Sequence, residues 1–115
     1  VELKSSSDKN HQLGLIAEYN VKKLLETKGW ILILHRFKTR AGEIDLIFEK
    51  EEKILLIEVK KLTNSWRSFQ RIRQKQLLVL KTNRLLFLLN FKDKEIESYV
   101  AWVSQKNVIT FCSVD

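Results

Sequence analysis

The sequence predicts one α/β domain, a mixed central β-sheet flanked by helices. Three observations carry that prediction: an amphipathic helical repeat near the N-terminus, three β-rich segments in succession after it, and a second, basic amphipathic stretch before further apolar segments. With 115 residues, 44% of them hydrophobic, the chain can bury a single core but not two independent ones.

Residues 1–10 are polar, with Ser5, Ser6 and Ser7 in a row, and read as a flexible lead-in to a domain spanning 11–115. Over residues 11–28, Leu13, Ile16, Ala17, Val21, Leu24 and Leu25 recur at three- and four-residue steps, which predicts a helix stopped by Gly29. Strands are predicted over 30–37, 43–49 and 54–60, the last two separated by the charged stretch 50–53. Phe69, Ile72, Gln76, Val79 and Leu80, set among basic residues, predict a second helix over 65–81, closed by Asn83 and Arg84. The apolar run 85–91 and the segment 96–103 read as two more strands, and the tail has room for one short strand.

Twenty-one Lys and Arg against fourteen Asp and Glu leave a net charge of +7, the balance of a protein that binds polyanions such as DNA. Cys112 is the sole cysteine, so no disulfide framework is expected, and the chain reads as cytoplasmic. No apolar run is long enough to span a membrane. His11 and His35 lie apart and lack the spacing of a zinc site. Trp66, Phe69 and Trp102 read as core residues.

Antiparallel pairing about the turn at 50–53 sets Asp45 opposite Glu58 and Glu43 opposite Lys60. Opposed residues sit roughly 4.5–5.5 Å apart at Cβ, so two carboxylates would meet there with an ammonium beside them. Carboxylates at that spacing repel unless a cation intervenes, and Mg²⁺ or Mn²⁺ prefers oxygen ligands of this kind. The plainer alternative is a wet strand end with ordinary cross-strand ion pairs.

Three motifs, Gly14–x–x–Ala17–Glu18, Gly42–Glu43–Ile44–Asp45–Leu46–Ile47 and Ile57–Glu58–Val59–Lys60, resemble successive motifs of the YraN-like family. That family is similar to PD-(D/E)XK nucleases of the Holliday-junction-resolvase kind. The resemblance implies a restriction-endonuclease-like core and a Mg²⁺- or Mn²⁺-dependent DNA endonuclease of repair or recombination. It implies metal ligands at Asp45, Glu58 and Glu18, a catalytic Lys60 and a supporting Gln76. Ala17 stands where the family usually has Gly, and Lys61–Leu62 replaces its small-then-Arg pair. Arg36, Lys38 and Arg40 before the motifs, and Lys61, Arg67, Arg71, Arg73 and Lys75 after them, would grip the phosphate backbone. Resolvase-like relatives cut two strands, which suggests a homodimer with an apolar strand such as 96–103 at its interface. Two other functions fit the same residues: a catalytically silent nucleic-acid-binding domain, and a small dimeric interaction protein.

Overall fold

The computed structural model describes residues 6–62 and 74–114. Their order is α1 (Ser6–Thr27), β1 (Ile31–Thr39), β2 (Gly42–Lys50), β3 (Lys53–Lys61), α2 (Gln74–Asn90), β4 (Glu95–Val103) and β5 (Ile109–Ser113). The five strands form one sheet in sequence order. β1, β2 and β3 run antiparallel in turn, β4 lies parallel to β3, and β5 returns antiparallel to β4. α2 is the crossover that a parallel β3–β4 pair requires.

Each helix covers one side of the sheet. Ala17, Val21 and Leu25 recur every four residues on α1 and are buried with Leu46, Phe48, Leu55 and Ile57. Leu80 and Phe87 of α2 are buried with Ile44, Ile47, Ile54 and Leu56. Ile54 to Ile57 divide alternately between the two layers, and Leu55 and Ile57 face α1. Such a strand is apolar on both faces, as a parallel strand covered on both sides must be.

α1 ends where glycine predicted. Gly29 has φ +91°, the Trp30 N–H donates to the Leu25 carbonyl and the Gly29 N–H donates to the Glu26 carbonyl. This is the Schellman arrangement, which satisfies the last carbonyls of a helix. The helix begins at Ser6, five residues before the apolar periodicity, and takes in residues read as a flexible lead-in.

The larger correction concerns residues 85–91. They form no strand but continue α2 to Asn90, and Asn83, expected to end the helix, lies inside it with its Nδ2 donating to the Val79 carbonyl at 2.9 Å. Leu85, Leu86, Phe87, Leu88 and Leu89 include no β-branched residue, and an unbroken apolar run has no period to separate strand from helix. The fifth strand is instead supplied by the tail. Of the predicted helix over 65–81, residues 65–73 lie outside the described residues, as do Trp66 and Phe69. Trp102 is buried on the α2 side, as a core residue should be.

β4 is hydrogen-bonded along both edges, to β3 and to β5, and Ile96, Val100 and Trp102 are buried. It therefore offers no edge for a dimer, and among the described residues the outer strands of the sheet are β1 and β5. No helix among the described residues is long and apolar enough to cross a membrane.

Candidate active site

The β2–β3 ladder runs from Lys50–Lys53 to Leu46–Ile57 in the predicted register, and there the pattern changes. Two residues farther along β3, the Val59 N–H donates to Oδ2 of Asp45 at 2.8 Å. A side chain has taken the place of main chain.

The cause lies in the β1–β2 hairpin. Leu46 packs with the α1 layer, yet Ile44, two residues earlier, packs with the α2 layer, so the strict alternation of a flat strand breaks at Asp45. Across from it, between the pairs His35–Leu46 and Phe37–Ile44, Arg36 has φ +53°. A left-handed conformation costs a non-glycine residue about 1–2 kcal/mol and needs surrounding structure to hold it. That support comes from the hairpin tip, which folds onto α2. The Phe37 ring meets Phe87 edge-on at 6.2 Å, and a Cβ on Gly42 would stand 2.7 Å from Cγ2 of Val79. The tip thus turns away from β3, and Asp45 faces the gap.

In that gap the Asp45 and Glu58 carboxyls come together closely enough that Glu58 feels the charge of Asp45. Glu58 exposes 13% of its side chain, and its Oε1 is 3.7 Å from Nζ of Lys60. Burial, then the charge of Asp45, pushes Glu58 up to about 8 despite the nearby Lys60. Asp45 is raised as well, chiefly by burial and by the charge of Glu18, while the Val59 N–H pulls it down. Two acids that resist ionising together hold a proton where a cation would replace it.

The other predicted residues fall in several places. Glu18 of α1 is 2.9 Å from Nε2 of His35 and 3.6 Å from the Arg36 guanidinium, and it acts on Asp45 through its charge. Glu43 is exposed on β2 and adds its charge to that felt by Glu58. Gln76 is half-buried in the first turn of α2. Lys38 and Arg40 are exposed on the β1–β2 hairpin, and Lys61 ends β3. Arg67, Arg71 and Arg73 lie outside the described residues, and of Lys75 only its backbone place in α2 is described.

His35 was missed by sequence reasoning, which weighed it only as a zinc ligand. Its pairing with Glu18 depends on α1 crossing β1, a contact that no spacing announces. Ala17, the departure from the usual Gly, is buried in the α1 layer. Leu62 packs into the α2 layer, and its N–H donates to the Val103 carbonyl at 2.8 Å.

Among the described residues, no three His, Cys, Asp or Glu side chains form a group able to hold a metal ion. The donor set still suits a hard divalent cation. It offers two half-buried carboxylates, and Mg²⁺ commonly takes one or two from a protein and keeps water or phosphate elsewhere.

The molecule is thus an α/β domain with a five-stranded mixed sheet and a half-buried carboxylate pair where two of its strands part. The chain belongs to the uncharacterised protein family UPF0102, whose model matches residues 17–109. It is 30% identical to a UPF0102 protein of Campylobacter jejuni over 100 residues, which are 86% of this chain and 88% of that one. A UPF0102 protein of Ruegeria pomeroyi is 30% identical over 94 residues, 82% of this chain and 76% of the relative. A UPF0102 protein of Prochlorococcus marinus is 42% identical over 48 residues, 42% of this chain, and the match spans only 38% of that relative's length.

Proposed function

We propose that this protein is a metal-dependent DNA endonuclease with a restriction-endonuclease-like, PD-(D/E)XK core. One observation carries the reading: Asp45, held by the Val59 N–H, and Glu58 converge in a half-buried gap, with the Lys60 ammonium 3.7 Å from Glu58. A structural ion pair would have matched acid with base. Here two acids and one base converge, leaving one acid without a basic partner, an arrangement that folding alone does not require.

Asp45 and Glu58 would hold the cation, Mg²⁺ or Mn²⁺, with Glu18 contributing negative charge from α1. When bound, that ion supplies a polarised phosphate and a water of lowered pKa. The chain's own groups do the rest. Lys60 points its ammonium into the gap beside Glu58, where it can orient the attacking water and stabilise charge growing on the phosphate oxygens. The Val59 N–H fixes one oxygen of Asp45 and so holds that carboxylate toward Glu58. Lys38 and Arg40, exposed on the hairpin, and Lys61 after the Glu–x–Lys segment would supply positive charge for the DNA backbone. Contacts of that kind read charge and shape rather than base sequence.

A catalytically silent DNA-binding domain is the second reading, favoured by the engagement of Glu18 with His35 and Arg36. Incubation of wild type, Asp45→Ala and Glu58→Ala with linear, flapped and four-way DNA in Mg²⁺ or Mn²⁺ separates the two. The nuclease reading expects nicking by wild type alone. Binding without nicking selects the silent domain, and equal nicking by all three proteins means that a contaminant cuts.

A further inference from the structure

Between α1 and the β1–β2 hairpin lies a cavity of about 210 Å³, lined by Leu15, Tyr19, Leu32, His35 and Leu46 with Glu18 in its wall. Its chemistry is mixed in a particular way. Leucines form a flat apolar lining, and Leu15 and Tyr19 stand four residues apart on one face of α1. Tyr19 is 55% exposed, with the Lys23 ammonium 5.4 Å from its ring centroid. Glu18 offers a carboxylate, compensated by Arg36 at 3.6 Å, and His35 bonds to it at 2.9 Å. Lys22 also lines the cavity.

We propose that this cavity takes an unpaired nucleobase from the DNA strand whose phosphate lies at Asp45 and Glu58. The inference rests on the nuclease reading and adds a substrate preference to it: DNA with a frayed, flapped or single-stranded nucleotide beside the cut.

Three features favour a base over other occupants. An aromatic ring next to an apolar lining suits the π-face of any base, whichever its identity. The carboxylate of Glu18 accepts a hydrogen bond from an exocyclic amino or ring N–H group, and both edges of an unpaired base are free for such contacts. Lys22 and Lys23 stand where the flanking phosphates of the same nucleotide need cations, in keeping with the +7 charge of the chain.

Position ties the cavity to the carboxylate gap. Glu18 lines the cavity and bears electrostatically on Asp45, and Leu46 in the cavity floor is the next residue along β2. That adjacency lets a strand with one phosphate at Asp45 bring the adjoining base to the cavity mouth. A fully paired duplex cannot, because its bases stay stacked inside. Past Lys22 and Leu32 the cavity adjoins a shallower hollow lined by Trp30 and Ile31, which gives the strand a path onward.

The test is binding, read by fluorescence anisotropy in Ca²⁺ at fixed salt, to a duplex with a short unpaired arm and to its fully paired counterpart. A third DNA carries the same arm with an abasic nucleotide at the junction. Wild type is expected to prefer the intact arm by about tenfold, the order of one base stacked on an aromatic ring. Tyr19→Ala removes the stacking ring, and Leu15→Trp fills the cavity. Both positions are partly exposed, so both variants should fold. Each should erase the preference while leaving affinity for paired duplex within twofold. The abasic arm should weaken wild type and leave Tyr19→Ala unchanged, which closes a double-mutant cycle between ring and base.

Wild type that binds and cuts paired and unpaired DNA alike overturns the base slot and leaves the nuclease reading standing. Variants that weaken both DNAs equally overturn it too. Wild type that binds neither DNA ends both readings.

Discussion

The parallel strands β3 and β4 have carboxylates at both ends, and the two ends treat them in opposite ways. Where these strands begin, Glu51, Glu52, Asp93 and Glu95 are exposed around an open hollow that also includes Lys53. Lys53 and Glu95 approach to 3.8 Å there, with half or more of each side chain in water. Toward the end of β3, Asp45 and Glu58 are half-buried, converge on one another and are raised in pKa by the loss of water around them. The first end has more acids, but water solvates each of them singly. The second has fewer, and burial makes each one's charge the other's problem. Chemistry follows desolvation and convergence, not the number of carboxylates.

The largest expected effect breaks that contrast directly. Asp45→Ala or Glu58→Ala should lower DNA nicking in Mg²⁺ by about 1,000-fold or more, since each removes a ligand of the cation that the chemistry needs. Lys60→Ala should cost on the order of 100- to 1,000-fold in kcat with little change in DNA affinity, as expected when a group serves developing charge. Single-turnover kinetics measures both. Loss of DNA affinity in place of rate for Lys60→Ala would make Lys60 a binding residue.

Next in size is Gly42→Ala, which attacks the hairpin that opens the gap. The new Cβ meets Val79 at 2.7 Å, and φ +131° suits only glycine, so a loss of about 1–3 kcal/mol is expected in denaturant titrations. The tip must lift from α2, and Asp45 moves with it, so nicking should fall too. Val79→Ala in the same chain should recover the clash but not the backbone strain. Full recovery would show that φ costs nothing there.

Much of this arrangement was legible in advance, and the rest has a physical reason for having been hidden. The register that carries Asp45 toward Glu58 follows from the length of one turn, a local quantity, and holds as far as Leu46–Ile57. Gly29 marked the end of α1 because the αL cap favours glycine. The run from Leu85 to Leu88 misled because leucine serves strand and helix interiors alike, and its true state depends on α2 packing against the sheet. Nothing in the sequence announces that Arg36 adopts positive φ or that His35 meets Glu18. The first is a consequence of the hairpin bending over α2 and the second of α1 crossing β1.

The pH dependence of stability sharpens the comparison further. Glu58 is raised from its usual value to about 8, so the folded state holds its proton more tightly than the unfolded chain does. For a group raised in this way, the stability it contributes is complete below about 4.5 and is lost as pH climbs through about 8. Without divalent metal, the protein should therefore lose stability across that window, and Glu58→Gln should flatten the loss. Mg²⁺ should restore more stability at the alkaline end than at the acid end, because a cation binds the deprotonated pair. Urea midpoints with and without Mg²⁺ at several pH values measure this. A wild type and a Glu58→Gln protein with parallel pH profiles would mean that the pair ionises freely.

The smallest effect belongs to the other end of the sheet, and its smallness is the point. Glu95→Ala breaks the ion pair with Lys53, whose partners are about half exposed. Solvent screens such a pair, and ordering two long side chains offsets most of the attraction, so the loss should be roughly 0–0.5 kcal/mol and should shrink further in high salt. Nicking should not change, because no acid there is buried with another. Glu51→Ala, which removes an exposed charge from the same hollow, should behave alike. A marked loss of activity from either substitution would mean that exposed carboxylates at that end take part in the reaction. Burial would then no longer distinguish the end that acts from the end that only dissolves.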